Sequence, residues 1–325
     1  MPKINLTVTG AAGQIAYALL PRLGDVIAAQ DNTSLSLRLL EVPGRLSALE
    51  GVVMELEDCA FPFIDEIVYT ADPAVAFADA DYALLIGAMP RSKGMSRADL
   101  LTANAGIFKE QGAVLNAVAS RDCKVLVVGN PCNTNATIAM RAAPELSNHN
   151  FYALSMLDQH RAYAQLAQAL SVSVADIDNL CVWGNHSDTM FADFYHARIE
   201  GDDFMSRFAE KESWCREVFI PSVAVRGSEV IKMRGASSAL SAANAALDTL
   251  FLLIDRDPDL GMFSLGVCSD GEYGAVPGTV VSYPCYFKED GSLCIVEGVA
   301  HNAYAQSCLD KSFQEIAAEA STYTG

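Results

Sequence analysis

The chain has 325 residues, 51% of them hydrophobic, and a formal net charge of -18, which supplies apolar side chains for two domains or one large α/β domain. So acidic a chain repels a phosphate backbone, and no Lys/Arg-rich stripe offsets the charge, so nucleic acid is excluded as an expected partner. No apolar run approaches the roughly 18 consecutive residues of a membrane helix, and Met1-Pro-Lys-Ile-Asn leads into a strand pattern without the makings of a secretory leader; the expected location is the cytoplasm, with no membrane partner.

In chain order, the first half alternates strand-length apolar runs with helical patterns: KINLTVTG, SLSLRLLE, EIVYTA, DYALLIGA and KVLVVGN. That alternation predicts a parallel sheet with crossover helices. After the first run, Ile15, Leu19, Leu23 and Val26 recur at three- and four-residue spacing, which predicts one amphipathic helix from about Gln14. The second half opens with the strand-like run FYALSML and a helical pattern around RAYAQLAQAL. It continues with a strand at LCVWG, long helical stretches from about Asp203 to Asp255, and strand-like runs MFSLGVC, TVVSYPCYF and SLCIVEG. This predicts an α+β second domain, with domains at residues 1–152 and 153–325.

The first strand run ends in Gly10-Ala11-Ala12-Gly13-Gln14-Ile15-Ala16. Gly10 permits a tight turn, Gly13 lets the backbone approach a pyrophosphate, and Ala16 lets the following helix pack closely. The spacing also serves a plain strand-helix turn. The second strand, however, ends at Glu41, whose carboxylate can accept hydrogen bonds from a ribose diol and repel a 2′-phosphate. Together the two features point to a dinucleotide, NAD rather than NADP.

Arg91 and Arg97 in GAMPRSKGMSRAD and Arg161 in LDQHRA stand out in an Arg-poor chain. Guanidinium groups grip carboxylates bidentately, and the loop from about Pro90 to Arg97 follows a strand end, where a lid would deliver arginines to an anionic substrate. His186 follows the run LCVWG, and Asp158 lies in LDQHR. A carboxylate on one imidazole nitrogen leaves the other to exchange a proton with a substrate hydroxyl, an acid/base pair for alcohol–ketone chemistry. The histidines His149, His160, His186, His196 and His301 show no close ligand spacing, so no metal is expected. Nine cysteines without a CxxC pair predict neither a disulfide framework nor a zinc ribbon.

TGAAGQIAYALL, GVVMELEDCAFP, MPRSKGMSRADLL, VVGNPCNTN, LDQHRA and VWGNHS, in this order across nearly the whole chain, resemble the cytosolic-type NAD-dependent malate dehydrogenases. The resemblance implies an N-terminal Rossmann doubly wound parallel sheet, a C-terminal α+β catalytic domain, a homodimer, and a small dicarboxylate, malate or oxaloacetate, as substrate. It makes His186 the proton acceptor in malate oxidation, paired with Asp158. It assigns Arg161 to the C1 carboxylate, Arg97 to the C2 oxygen, Arg91 to the second carboxylate and Asn130 to a hydrogen bond with the substrate. On the cofactor side it implies Gly10, Ala11, Ala12, Gly13, Gln14, Ile15, Ala16, Glu41, Asn104, Gln111, Val128, Gly129 and Asn130. Two positions depart from the family's commoner pattern, Glu41 for Asp and LDQHRA for LDHNRA, and neither removes a catalytic group.

Three rivals remain at this point. Lactate dehydrogenase differs in what neutralises the far end of the substrate, where a cationic Arg91 suits a second carboxylate. Short-chain dehydrogenases resemble the glycine turn but use a Tyr-x-x-x-Lys pair, and none of the eleven tyrosines has a lysine four positions later. A non-catalytic NAD-binding protein would have no use for an intact His186, Asp158 and arginine set.

Overall fold

A computed structural model describes residues 3–27, 33–89 and 97–322, the side chains of 25, 26 and 97–100 excepted. The five strand runs of the first half form β1 (Lys3–Thr9), β2 (Ser34–Leu40), β3 (Ile64–Thr70), β4 (Tyr82–Leu85) and β5 (Lys124–Val127), and Phe151–Ala153 adds β6. All pair in parallel, in the order β3-β2-β1-β4-β5-β6. This is the strand order of the doubly wound dinucleotide-binding fold, whose ligands sit outside the carboxyl ends of the strands where the order reverses, here between β1 and β4.

The strands read as they do because of where they lie. Central β2 is buried at six of seven positions, whereas β3, at the edge, exposes Asp65, Glu66 and Tyr69. One face of the sheet packs on Leu19, Leu20, Leu23, Leu49 and Leu56. The other packs on Phe108, Leu115, Ala136 and Ile138 from the helices Arg97–Val118 and Cys132–Arg141. Those two helices touch: a Cβ on Gly112 would lie 2.3 Å from the carbonyl oxygen of Ala139, so only glycine permits the approach.

Several expectations need correcting. The helix after the first turn is not continuous: Gln14–Leu19 gives way to a 3₁₀ turn at Leu20–Arg22 and a second helix, Leu23–Ile27, because Pro21 has no N–H to extend the ladder. FYALSML is a strand only at β6, and Met156 and Leu157 already belong to the helix Met156–Leu170. LCVWG keeps only Val182–Trp183 as strand, and SLCIVEG only Leu293–Ile295. Between Asp203 and Asp255 the helical stretch is broken, with Ile220–Arg234 ending at Gly235, φ +74°, and Leu240–Asp255 starting afresh.

The strands Phe263–Cys268, Val280–Phe287 and Leu293–Ile295 do not build a sheet of their own. They add antiparallel to β6 and carry the first sheet on to nine strands. The seam runs through Gly266 opposite Ala153, where an added Cβ would lie 2.6 Å from the Ala153 Cβ. A C-terminal helix, Ala303–Thr322, then packs back on the helix Cys132–Arg141, where Thr134 Oγ1 donates to Glu319 Oε2 (2.5 Å), and on the strand Phe191–Ala192.

Candidate active site

The glycine turn closes on itself through a bond from Gly13 N–H to Gly10 O (2.8 Å). Gly10 has φ +63°, and a Cβ there would stand 2.5 Å from the Cα of Gly87 in the loop after β4, so its two demands, backbone angle and contact, both require glycine. Gly13 caps the helix Gln14–Leu19 without a side-chain acceptor, while Ala16 is fully buried beneath it. Gln14 is exposed and bonds through its side-chain oxygen to Arg234 (2.8 Å), linking the turn to the second half of the chain.

Glu41 sits at the carboxyl end of β2 beside this turn, its side chain 5% exposed. Its Oε2 accepts from Val42 N–H (2.7 Å), and Arg45, 3.8 Å from Oε1, also donates to Ala12 O (2.9 Å). Gln111 is buried, and its Oε1 has no hydrogen-bond partner, a cost that a ligand donor would relieve. Val128 and Gly129 both donate to Leu85 O after β5. Gly129 faces Phe108 and Ala88, which a Cβ would meet at 2.8 and 2.9 Å. Asn104 is fully buried and its amide is taken up by the protein: it accepts from Met89 N–H (2.8 Å) and donates to Met89 O and Asn130 O. It therefore staples the loops after β4 and β5 together. The buried carboxylate of Glu41 and the partnerless oxygen of Gln111 fit the NAD implied by the sequence.

The second group of residues converges on the mouth of the same sheet. His186 Nδ1 lies 2.5 Å from Asp158 Oδ2, and the other oxygen of that carboxylate is 3.2 Å from Arg161 Nη1. Asp158 stands in the first turn of the helix Met156–Leu170, where a negative charge is favoured, and only 6% of its side chain is exposed. Arg161, one turn further, also donates to Ser238 Oγ (3.2 Å). Asn130, Asp158, Arg161 and His186 line one cavity of about 290 Å³ with Leu101, Pro131, Ser187, Asp188, Ala224, Gly227, Ser228 and Ile231. That is room for a small acid and little more.

Arg91 and the expected loop before Arg97 lie outside the described residues. Arg97 is the first residue of the helix Arg97–Val118, and its side chain lies outside them too. Cys132, adjacent to this region, is no nucleophile: burial pushes its thiol up to about 12.

The sequence reading assigned no role to Asn133, which is fully buried and accepts from His186 N–H (2.9 Å) while donating to Val280 O (3.2 Å). Nor did it assign one to the C-terminal helix. Glu315 on that helix accepts from Ser187 Oγ, Thr189 Oγ1 (2.7 Å) and Asn185 Nδ2 (2.9 Å), and Ser312 Oγ accepts from Asn185 N–H (2.8 Å). The loop that carries His186 is thus held from both sides.

This geometry can be set beside known proteins. The lactate/malate dehydrogenase NAD-binding domain matches residues 4–152, and the lactate/malate dehydrogenase alpha/beta C-terminal domain matches residues 155–324. The chain belongs to the lactate/malate dehydrogenase family. It is an oxidoreductase with NAD as cofactor. Malate dehydrogenase from Naegleria fowleri is 39% identical to it, with 99% of each chain covered and a TM-score of 0.92. Lactate dehydrogenase from Trichomonas vaginalis, solved with NADH and oxamate, is 36% identical, with 98% of each chain covered and a TM-score of 0.92. A second structure of that lactate dehydrogenase, a variant with arginine in place of leucine at its position 91, matches at 36% identity, 99% of this chain and 98% of that one, and a TM-score of 0.92.

Proposed function

We propose that this family member is an NAD-dependent malate dehydrogenase, interconverting (S)-malate and oxaloacetate. The observation that carries the chemistry is the His186–Asp158 pair at 2.5 Å, set beside Arg161 in a cavity of about 290 Å³. With Asp158 accepting from Nδ1, the neutral imidazole holds its lone pair on Nε2, where it takes the proton from the C2 hydroxyl of malate. Asp158 then stabilises the imidazolium, and the same proton returns when oxaloacetate is reduced. Arg161, held by Asp158 and Ser238, turns its remaining N–H groups to the C1 carboxylate. Glu41, Gln111 and the backbone of the Gly10–Ala16 turn would hold NAD, whose nicotinamide supplies the hydride acceptor and donor. Arg97 at the start of its helix acts on the C2 oxygen, and Arg91 pairs with the second carboxylate.

The choice of malate over lactate rests on Arg91. Pyruvate presents a methyl group where oxaloacetate presents CH2-carboxylate, and an arginine facing a methyl would lose its counter-charge in a closed site. The second reading, lactate dehydrogenase, draws on the near-equal likeness to the T. vaginalis lactate dehydrogenase and to the N. fowleri malate dehydrogenase.

The deciding measurement is NADH oxidation, followed by absorbance, with oxaloacetate and pyruvate side by side. Malate dehydrogenase predicts a kcat/KM ratio strongly in favour of oxaloacetate, and Arg91→Leu moves that ratio toward pyruvate. A preference for pyruvate in the parent enzyme refutes the reading, and an unchanged ratio in the variant removes Arg91 from the account. We further infer a cytoplasmic homodimer from the family resemblance, testable by sedimentation as a mass twice the chain's 34.8 kDa.

A further inference from the structure

Away from the cavity, three metal-ligating groups meet that no short motif joins: Asp193, His196 and His301 bring one ligand atom each to within 4.8 Å of one another. We propose that they bind a divalent transition-metal ion of the zinc class, which ties the start of the C-terminal helix to the segment beside Trp183.

Asp193 carries the argument. It is 2% exposed, and its Oδ2 accepts from Trp183 Nε1 (3.2 Å) and pairs with His196 Nδ1 (2.7 Å). Its Oδ1 is buried with no partner at all. A buried carboxylate oxygen without a donor is costly unless a positive charge meets it. His301 repeats the pattern, since both of its ring nitrogens are buried and partnerless.

Two imidazole nitrogens and one carboxylate oxygen are the donor set of a three-ligand zinc site, with water in the fourth position. Ligand atoms in such a tetrahedron stand roughly 3.3 Å apart, so the trio must draw in. The His196 side chain, 36% exposed, has the freedom to do so and leaves a path to solvent. The remaining parts of a metal site are also present. Trp183 Nε1 orients the carboxylate from behind, as outer donors do at metal sites. Its indole packs edge-on against His301, with ring centroids 4.8 Å apart at 84°. A hard ion such as magnesium, which wants oxygen ligands throughout, does not suit this set.

The site would act on the frame rather than on the reaction. His301 lies two residues before the helix Ala303–Thr322, whose Ser312 and Glu315 hold the loop of His186. Trp183 lies on the strand leading into that loop.

The test uses the full-length protein freed of metal by chelator and dialysis, then titrated with zinc chloride in a calorimeter and melted with and without zinc. The expected result is one ion per chain, a raised Tm, and no rise with magnesium chloride. His301→Ala and His196→Ala should each weaken zinc binding at least tenfold and remove the rise in Tm, while turnover without metal stays near the parent's. Should His301→Ala not fold, His196→Ala decides the matter alone, because that side chain is partly exposed. Failure of the parent to take up zinc, or uptake unchanged by the His196 substitution, overturns the proposal. This inference stands apart from the choice between malate and lactate, because its readouts are binding and melting.

Discussion

Replacing Asp158 with Asn tests the acid/base assignment most directly, because it keeps the shape and removes only the charge. The parent carboxylate serves two partners, with Oδ2 at 2.5 Å from His186 Nδ1 and Oδ1 at 3.2 Å from Arg161 Nη1, and 6% of the side chain exposed. An Asn amide has one acceptor. If its oxygen keeps Arg161, its NH2 faces His186 Nδ1, forcing the proton onto Nε2 and taking away the base. Removing one partner of a buried charge pair costs about 3–5 kcal/mol. In the parent this loss falls on the step that charges the imidazole, so at about 1.4 kcal/mol per decade kcat should drop by roughly 10²- to 10⁴-fold. The same carboxylate-to-amide change in a Ser-His-Asp triad costs about 10⁴ in kcat through the wrong tautomer. The assay is NADH oxidation with oxaloacetate, alongside NADH binding by fluorescence and a melting curve. A folded Asp158→Asn protein that binds NADH and turns over within about tenfold of the parent would refute the assignment.

Glu315→Ala should lower kcat by roughly 10-fold or more while leaving NADH binding unchanged, since it removes the acceptor shared by Ser187, Thr189 and Asn185 around His186 and each bond to a charged acceptor contributes about 1.5–3 kcal/mol. Steady-state rates together with NADH titration check this, and a parallel loss of cofactor affinity would contradict it. The third prediction concerns pH. Burial lowers the pKa of His160, with Asp248 at 3.5 Å opposing the shift. The folded state therefore binds fewer protons than the unfolded one, so stability is lost as pH falls from about 6.5 through the lower folded value. His160→Gln should flatten the fall in Tm between about pH 7 and pH 5.5, and an unchanged slope would remove His160 from the acid response.

What the sequence disclosed follows from how local each signal is. The strands β1 to β5 were legible because each is a short apolar run ending in a turn, and the Gly10–Ala16 turn because its demands on φ and on Cβ are met by residues next to one another. Asp158, Arg161 and His186 were legible by residue type, and the pairing of His186 with Asp158 by the chemistry it would serve and by the family resemblance; what no local pattern gave was the geometry, because the helix that carries Asp158 and Arg161 and the loop that carries His186 come together only through the fold. The breaks at Pro21 and Gly235 are visible as single residues, yet periodicity over a long window passes across them.

The residues that escaped notice share one physical character. Asn133, Ser312 and Glu315 were given no chemical role by the sequence, although Asn133 lies within VVGNPCNTN; they supply acceptors and donors to the backbone and side chains on either side of His186. A polar residue on a helix reads as a solvated face until a partner distant in sequence is placed against it, and Ser312, fully buried in the helix Ala303–Thr322, shows the difference. Its hydroxyl also explains the tight fit at Gly184, where a Cβ would stand 2.1 Å from Ser312 Oγ at φ +88°. Gly184 in WGNHS is therefore the place where the C-terminal helix presses against the backbone leading to His186. The imidazole of His186 is held by Asp158, its backbone N–H by Asn133 Oδ1, and its loop by that helix behind, so its orientation depends on parts of the chain no local pattern could connect.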